Sequence, residues 1–329
     1  MTGAEKLVEP ILALHDSMRD AVVDACAGQT PEQLATTASD GGEGDTIYAI
    51  DRVGEEALTR GLSGLPHDEP LCLIAEGLAQ PLLFPHGVRE ADCRWRILMD
   101  PLDGTRGLMY QKRSAWILTG VAPNRGAATR LSDVVLAVQT EIPLLKQHLA
   151  DQLWALRGAG MKARRRNRLS GGGASESLTL RRSAAGTIAH GFATVVRFFP
   201  GAREILAAID DEIVQALVPP EPRRASCFED QYASTAGELY ELMAGHDRFI
   251  ADLRPLVNPA GLCCHPYDLC TELLAREAGV VITDPLGAPL DAPFDLTSDV
   301  AWVGYANDGL RRSIEPVLQG ALRRRGLLK

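Results

Sequence analysis

The sequence has no C-x-x-C unit, no long apolar run and no excess of positive charge. Its seven cysteines are scattered, and Cys263 and Cys264 are adjacent, which argues against a structural zinc site and favours reduced thiols in the cytoplasm. The net charge of −9 argues against binding to nucleic acid polymers or membrane surfaces. No apolar stretch is long enough to span a bilayer, and the amphipathic start of the chain does not have the form of a signal peptide.

The length and composition are those of a globular protein with two domains, or with one large layered domain in two halves. The chain has 329 residues, of which 46% are apolar and 23% charged. Short apolar runs predict strands, and apolar residues at helical spacing predict helices. The predicted strands cover residues 71–75, 94–99, 114–121, 133–140, 153–156, 193–199, 280–283 and 301–305. The predicted helices cover the N-terminal segment and residues 46–61, 202–218, 234–244, 267–278 and 308–328. Their alternation predicts an α/β fold of layered α+β type.

Two segments are typical of loops. Residues 38–45 are rich in glycine and acids, and residues 163–173 read Ala-Arg-Arg-Arg-Asn-Arg-Leu-Ser-Gly-Gly-Gly. The arginine-rich part, 164–168, would suit an anionic substrate, although a solvated loop is the more common form of such a cluster. We therefore predict an N-terminal α+β subdomain at 1–178 and a C-terminal α/β subdomain at 179–329.

Two of the predicted strands end on acids, Glu76 and Asp100. The carboxyl ends of strands are where layered α/β folds usually place ligand sites. Asp100 begins the hexamer Asp-Pro-Leu-Asp-Gly-Thr, in which the proline restricts the backbone and the glycine permits a tight turn. Such a turn can aim the carboxylates of Asp100 and Asp103 and the carbonyl of Leu102 at one point. Oxygen ligands in this arrangement are those that Mg²⁺ prefers.

A further acid, Asp268, lies at the predicted start of a helix after His265. Taken alone, Asp268 is explained as a carboxylate that the helix dipole favours, and an isolated Asp-x-x-Asp is common in surface turns. However, several acids that converge on one point repel one another unless a cation is present. The sequence therefore predicts a divalent metal site, with His265 in a structural role or behind the ligands.

In their order along the chain, these motifs resemble the inositol monophosphatase family. The resemblance rests on Glu76, the hexamer at 100–105, Asp268-x-x-Thr and the segment 277–290, and residues 44–56 look like the family's early Thr-x-x-Asp helix. The family belongs to a wider group with fructose bisphosphatases and nucleotide phosphatases. The resemblance implies alternating α/β/α/β/α layers, two subdomains and a homodimer. Residues 160–225 match poorly.

The resemblance also implies the metal site and its catalytic residues. Two or three Mg²⁺ ions, or Mn²⁺ in their place, would be held by the following ligands: Glu76, Asp100, the Leu102 carbonyl, Asp103 and Asp268. Glu76 and Thr105 would position and activate the attacking water. Asp51 takes the place of the family's early acid, near a third, weaker metal.

Further residues are implied as substrate contacts. The amides of Gly104 and Thr105 would hold the phosphate. Ser234, Thr235 and Ala236 resemble the family's small-residue turn, which contacts the sugar or ring of the substrate.

The chain departs from the family pattern at several positions. Gly77 stands where the family usually has a second glutamate, and Tyr267 stands where it usually has tryptophan. Arg106 and a glycine follow the hexamer where inositol phosphatases commonly have Asn-Phe, which looks more like the nucleotide-phosphatase branch. Residues 223–230 are also unlike the family's substrate loop.

Three functional interpretations remain open at this point. The first is a Mg²⁺-dependent phosphomonoesterase that uses metal-activated water on a small phosphorylated metabolite, either an inositol phosphate or a sugar phosphate. The second is a nucleotide phosphatase of the 3′-phosphoadenosine type. The third is a degenerate relative that binds or regulates without catalysis. The retained acids argue against the third, because a binding scaffold has no need of them.

Overall fold

The structure is a computed structural model that describes residues 3–39, 46–66, 68–169, 175–219 and 221–328. Most of the predicted acid- and glycine-rich loop, at 40–45, lies outside the described residues, as do residues 170–174 of the predicted linker. The helices are α1 (Val8–Gly28), α2 (Pro31–Leu34), α3 (Ala49–Gly61), α4 (Thr105–Met109), α5 (Arg203–Leu217), α6 (Thr235–Ala244), α7 (Arg254–Val257), α8 (Glu272–Glu277) and α9 (Asp308–Arg324).

Within the described residues, the strands form two main sheets and one short pair. They are β1 (Thr37–Ser39), β2 (Ile47–Tyr48), β3 (Leu71–Ala75), β4 (Leu82–Phe84), β5 (Trp95–Asp103), β6 (Ala115–Pro123), β7 (Leu136–Ile142), β8 (Leu149–Leu156), β9 (Met161–Asn167), β10 (Ser175–Leu178), β11 (Phe192–Val195), β12 (Asp247–Asp252), β13 (Val281–Thr283) and β14 (Trp302–Tyr305). The larger sheet has the order β10-β9-β8-β7-β6-β5-β3-β4, and the smaller sheet has the order β11-β12-β14-β13. In the larger sheet β3 and β5 are parallel, and the other neighbours are antiparallel.

Helices and sheets alternate in five layers. Helices α1 and α3 pack on one face of the larger sheet, and α6 and α8 pack between its other face and the smaller sheet. Helices α5 and α9 contact each other and cover the far face of the smaller sheet. The predicted α/β/α/β/α layering is therefore confirmed.

Two apolar cores lie between these layers. One lies between α1, α3 and the larger sheet and contains Met18, Leu58 and Ile97. The other runs from the opposite face of the larger sheet to α9 and contains Leu118 and Trp302. Burial of such side chains contributes roughly 1.5–3 kcal/mol each. The second core has residues from both predicted subdomains, so the two halves share an interior, and the boundary after residue 178 stays a prediction.

The prediction that the arginine-rich segment is a loop is wrong for residues 163–167. They belong to β9, which pairs with β8 on one side and with β10 on the other. Side chains alternate between the faces of a strand. Arg164 and Arg166 approach Asp16 of α1, whereas Arg165 forms a bidentate pair with Asp151, with nitrogen–oxygen distances of 2.7 and 2.8 Å. The charges that suggest a solvated loop are thus paired with acids from neighbouring elements.

Several further elements differ from the prediction; the strand predicted at 193–199, for example, ends at Val195. The helix expected at 267–278 is shorter, because residues 266–271 form turns and α8 begins at Glu272. Strand β12 was not predicted, although it forms the centre of the smaller sheet with β14. The cysteines are free thiols. Within the described part of the chain, no helix is both long enough and apolar enough to cross a membrane.

Candidate metal centre

An irregularity in β5 places Asp100 and Asp103 on the same face of the larger sheet. Asp100 lies opposite Leu118 of β6 and Asp103 lies opposite Trp116, so three steps along β5 match two steps along β6. This extra residue is a β-bulge. In a regular strand, residues three apart point to opposite faces. The bulge restores both carboxylates to one side, which faces α6 and α8.

Strand β5 is longer than predicted, because it continues through Asp103. The turn of the hexamer occurs at Gly104, as the sequence predicts, and the φ of Gly104 is +94°. A Cβ atom at Gly104 would lie 3.0 Å from the Cβ of Ser234 and 3.5 Å from the Cα of Ala115. Glycine therefore permits both the left-handed backbone and the close approach of the start of α6.

The start of α6 holds the carboxylate of Asp103. The Ser234 hydroxyl and the Ala236 backbone N–H donate to its Oδ2 at 2.8 and 2.7 Å. Ser234 Oγ also accepts from the Gly237 N–H at 2.9 Å, as the N-cap of the helix. Ser234 and Thr235 line the cleft above the carboxylates. Two of the three predicted substrate contacts, Ser234 and Ala236, thus orient an acid, and the predicted substrate role of the three stays a prediction.

Asp268 reaches the same point from the second half of the chain. One carboxylate oxygen from each of Asp100, Asp103 and Asp268 lies within 4.8 Å of the other two. Asp268 Oδ2 accepts a hydrogen bond of 2.6 Å from the backbone N–H of His265. The ring of His265 instead contacts the carbonyl of Ser298 at 3.1 Å. The turns before α8, not the helix itself, therefore position this acid.

Glu76 follows β3 and lies beside Asp100, because β3 and β5 are parallel neighbours. The Glu76 N–H donates to the carbonyl of Met99 at 3.1 Å. The hydroxyl of Tyr267 donates to Glu76 Oε1 at 3.3 Å. Tyr267, which departs from the family pattern, thus contacts a predicted metal ligand. Glu76 and Leu102 both line the cleft with the three aspartates.

Burial and mutual repulsion oppose ionisation of these acids in the absence of a cation. Burial, followed by the charges of Glu76, Asp103 and Asp268, raises the pKa of Asp100 well above its usual range. Burial and the charge of Asp103 do the same to the pKa of Asp268. Burial also raises the pKa of Asp103, to about 6, although the donors from α6 oppose that rise. The charge of Arg254 lowers the pKa of Asp103 and of Asp268, but burial outweighs it. Converging buried carboxylates of this kind fit a hard divalent cation such as Mg²⁺.

Asp51 and Thr105 are brought together at the edge of this site, although 53 residues separate them in the chain. Thr105 Oγ1 lies 2.8 Å from Asp51 Oδ1 and 2.9 Å from the Leu102 carbonyl oxygen, so its proton can be donated to either. Asp51 Oδ2 accepts from the Tyr48 N–H at 2.7 Å, at the start of α3. A hydroxyl whose proton points toward an acid presents its lone pairs to a water molecule.

Solved structures with a similar arrangement of elements cover almost the whole chain. The extragenic suppressor protein SuhB from Bartonella henselae is 17% identical and aligns with a TM-score of 0.64, over 95% of this chain and 98% of that chain. The holo form of fructose-1,6-bisphosphatase from Leishmania major is 13% identical, with a TM-score of 0.68 over 97% and 94%. A hypothetical protein from Pyrococcus horikoshii with similarities to inositol-1 monophosphatase is 15% identical, with a TM-score of 0.63 over 95% and 98%.

The chain has the same fold as these solved structures. The resemblance that the motifs indicate is thereby confirmed for the fold. No protein-family model matches the sequence, and no curated protein sequence matches it significantly. The roles of individual residues must therefore be argued from the site itself.

One wall of the cleft has residues that the sequence patterns did not indicate. Arg254 forms a buried bidentate pair with Asp252, with distances of 2.6 and 2.9 Å. Its guanidinium lies 4.6 Å from the ring centre of Phe198 and 5.4 Å from that of Phe199. The guanidinium of Arg106 lies on the same ring of Phe199, at 5.1 Å. The apolar run before Asp252 ends on an acid, as those before Glu76 and Asp100 do, and this signal would have pointed to β12.

The cleft has about 550 Å³ of empty space, a volume that includes the open solvent at its mouth. Carboxylates form its floor, and guanidinium groups and phenyl rings form part of its wall. Such a floor suits a metal-bound phosphate, and such a wall suits an anionic or planar group attached to it.

Proposed function

We propose that this chain is a Mg²⁺-dependent phosphomonoesterase that acts on a small phosphorylated metabolite. The observation that carries the proposal is the convergence of Asp100, Asp103 and Asp268 within 4.8 Å, on the floor of a cleft that also contains Thr105. Two of the similar structures are described as a fructose-1,6-bisphosphatase and as a protein with similarities to inositol-1 monophosphatase. A phosphatase role agrees with both the site and the fold.

The proposed metal ligands are four acids and one backbone carbonyl: Glu76, Asp100, Leu102, Asp103 and Asp268. Bound Mg²⁺ would supply a nucleophile from water at neutral pH and offset the negative charge that develops on the phosphate and on the leaving oxygen. The protein supplies fixed ligand positions. The β-bulge aligns Asp100 with Asp103, and the start of α6 orients Asp103.

Thr105 and Asp51 would orient the attacking water. With its proton directed toward Asp51 at 2.8 Å, the Thr105 hydroxyl accepts a hydrogen bond from that water and fixes its direction. Asp51 is itself held by the Tyr48 N–H. The amides of Gly104 and Thr105, at the turn into α4, would bind phosphate oxygens.

The degenerate, non-catalytic alternative is less consistent with the site. Burying carboxylates that have no use costs stability, because each ionised group loses its hydration. Asp100 and Asp103 are 1% and 8% exposed. A scaffold that only binds a partner would gain stability by losing these acids.

The wall of the cleft favours one alternative substrate. The inositol or sugar phosphate is the first choice, but the ring of Phe199 and the guanidinium of Arg106, which line the cleft 5.1 Å apart, would also suit a 3′-phosphorylated nucleotide. An aromatic face stacks on a base, and a guanidinium binds a second phosphate.

Phosphate release from inositol 1-phosphate, fructose 1,6-bisphosphate and 3′-phosphoadenosine 5′-phosphate tests the proposal. Each substrate is assayed with Mg²⁺ and with EDTA, and Asp103→Asn serves as the inactive control. We expect release from at least one substrate that requires Mg²⁺ and that the variant lacks. If no substrate releases phosphate, or if release is equal in EDTA, the proposed function is wrong.

A further inference from the structure

Helix α3 carries a second acid, Glu55, that the proposed mechanism does not use. Glu55 lies one turn after Asp51, and residues four apart share a helix face. Glu55 is only 9% exposed. Both acids line a small cleft beside the metal centre, and the other polar or ligand-bearing residues of its lining include Glu76, Leu102 and Thr105. This face of α3 is thus directed at the ligands rather than at solvent.

Gly77 makes room for the carboxylate of Glu55. Gly77 has a φ of +80°, and a Cβ atom on it would lie 2.2 Å from Glu55 Oε1 and 2.7 Å from Glu55 Cδ. Any other residue at this position would have to displace that carboxylate. Since Gly77 directly follows Glu76, Glu55 contacts the backbone next to a proposed metal ligand.

The fold alone does not account for an acid at this position. Glu55 pairs with Arg52 at 2.6 Å, and the Arg52 side chain is 43% exposed, so the pair reaches the surface on one side only. A pair of this kind adds little stability after the cost of burial, and an apolar side chain of similar size would pack as well. The neighbouring acidic cleft, and not the packing of the fold, therefore explains a carboxylate at position 55.

We infer that Glu55 is a positioning residue of the metal centre, which supplies a further carboxylate from α3 in the space beside Gly77. The inference rests on the proposed phosphatase function for its kinetic readout. The carboxylate adds negative charge beside the cations and, through its contact with Gly77, restrains the backbone of Glu76. Acids behind the direct ligands typically change metal affinity by about tenfold or more.

Glu55→Gln tests the role of the charge, since glutamine keeps the shape of the side chain. We expect calorimetry to show about tenfold weaker binding of Mg²⁺ and Mn²⁺. The Mg²⁺ concentration for half-maximal phosphate release should rise by the same factor, while kcat at saturating Mg²⁺ changes less than about threefold. Glu56→Gln is the matched control, because Glu56 has the same charge on the same helix and is exposed. Equal metal affinity in Glu55→Gln and wild type would overturn the inference.

Gly77→Ala tests the contact itself. The added Cβ would displace the Glu55 carboxylate, so metal binding should weaken about as much as in Glu55→Gln. The strain of alanine at a φ of +80° is common to both backgrounds. In a Glu55→Ala background, Gly77→Ala should therefore weaken metal binding less than in wild type, because no carboxylate remains to be displaced. Circular dichroism establishes that each variant is folded. A loss of affinity from Gly77→Ala that is the same in both backgrounds would contradict a role for Glu55.

The calorimetric readout separates this inference from the proposed function. If wild type binds Mg²⁺ and Glu55→Gln binds it more weakly, but no substrate releases phosphate, then the phosphatase proposal fails and the role of Glu55 stands. If Mg²⁺-dependent phosphate release occurs and Glu55→Gln binds metal like wild type, then the phosphatase proposal stands and the proposed role of Glu55 is wrong. Absence of metal binding by wild type would overturn both.

Discussion

Asp103→Asn removes one charge from the metal centre and keeps the shape of the side chain. The amide oxygen of asparagine can still accept from the Ser234 hydroxyl and the Ala236 N–H, which lie 2.8 and 2.7 Å from Asp103 Oδ2. The substitution therefore isolates the electrostatic part of the site. It abolishes a proposed metal ligand without creating a cavity.

The expected gain in stability follows from the pKa of Asp103. Burial raises this pKa from its ordinary value of 3.8 to about 6 in the metal-free protein. The folded state therefore binds the proton more tightly than the unfolded state, and stability falls as the pH rises from about 4 through 6. Above about pH 6, the folded state bears the full free-energy cost of the buried, ionised carboxylate. A pKa difference of 2.2 corresponds to about 3 kcal/mol.

Asparagine does not ionise and avoids this cost. We expect the metal-free variant to be about 1–3 kcal/mol more stable than wild type at pH 8, and the difference to shrink near pH 4. Urea denaturation in EDTA at both pH values measures this difference in the free energy of unfolding. Added Mg²⁺ should stabilise wild type and have little effect on the variant, because ligand binding to the native state raises the free energy of unfolding.

Asp24→Asn is the control, since Asp24 is an exposed acid on α1. Its stability should match that of wild type in EDTA and should respond normally to Mg²⁺. Two results would refute the reasoning. One is an Asp103→Asn variant that is less stable than wild type in EDTA at pH 8. The other is a variant with wild-type turnover.

Further predictions concern residues around the same site. In steady-state kinetics, Thr105→Val should lower kcat about 100-fold and change KM less than threefold. Adding Asp51→Asn to this variant should lower kcat little further, because the two residues act together. Additive losses of kcat would contradict a shared role. Ser234→Ala should lower the free energy of unfolding by about 1 kcal/mol and weaken Mg²⁺ binding measured by calorimetry; unchanged metal affinity would argue against its role in orienting the acid. Arg254→Lys cannot keep the bidentate pair with Asp252, so the free energy of unfolding in urea should fall by about 2–4 kcal/mol. Equal stability of the variant and wild type would disprove the importance of that pair.

Much of the fold was predictable where the pattern is local. Strand β3 has the predicted limits, residues 71–75, and α6 begins one residue later than predicted, because Ser234 is its N-cap. Both are short-range features, since an apolar run and a capping residue can be recognised within a few positions. Helix α5 is one residue shorter than predicted at each end, and β14 begins one residue later than predicted.

Side-chain ion pairs and hydrogen bonds explain where the predictions were wrong. The arginines of β9 suggest a loop because their partners lie on other elements, Asp16 on α1 and Asp151 on β8. The segment before α8 suggests a longer helix because its apolar spacing is helical, but the His265 N–H bonds to the carboxylate of Asp268 in a turn instead. A local pattern indicates which residues are buried, but it does not indicate which residues of other elements they pack against.

The sequence by itself determined the chemistry of the candidate centre. The hexamer at 100–105, Glu76 and Asp268 predict a convergence of carboxylates, because residue type and order suffice to recognise the motif. The tertiary structure decided everything that depends on two distant segments in contact. It placed Asp268 within 4.8 Å of the two aspartates of β5. It also set Arg254 against the rings of the cleft and brought Glu55 to the space beside Gly77. Such contacts depend on how layers pack, and no local pattern encodes them.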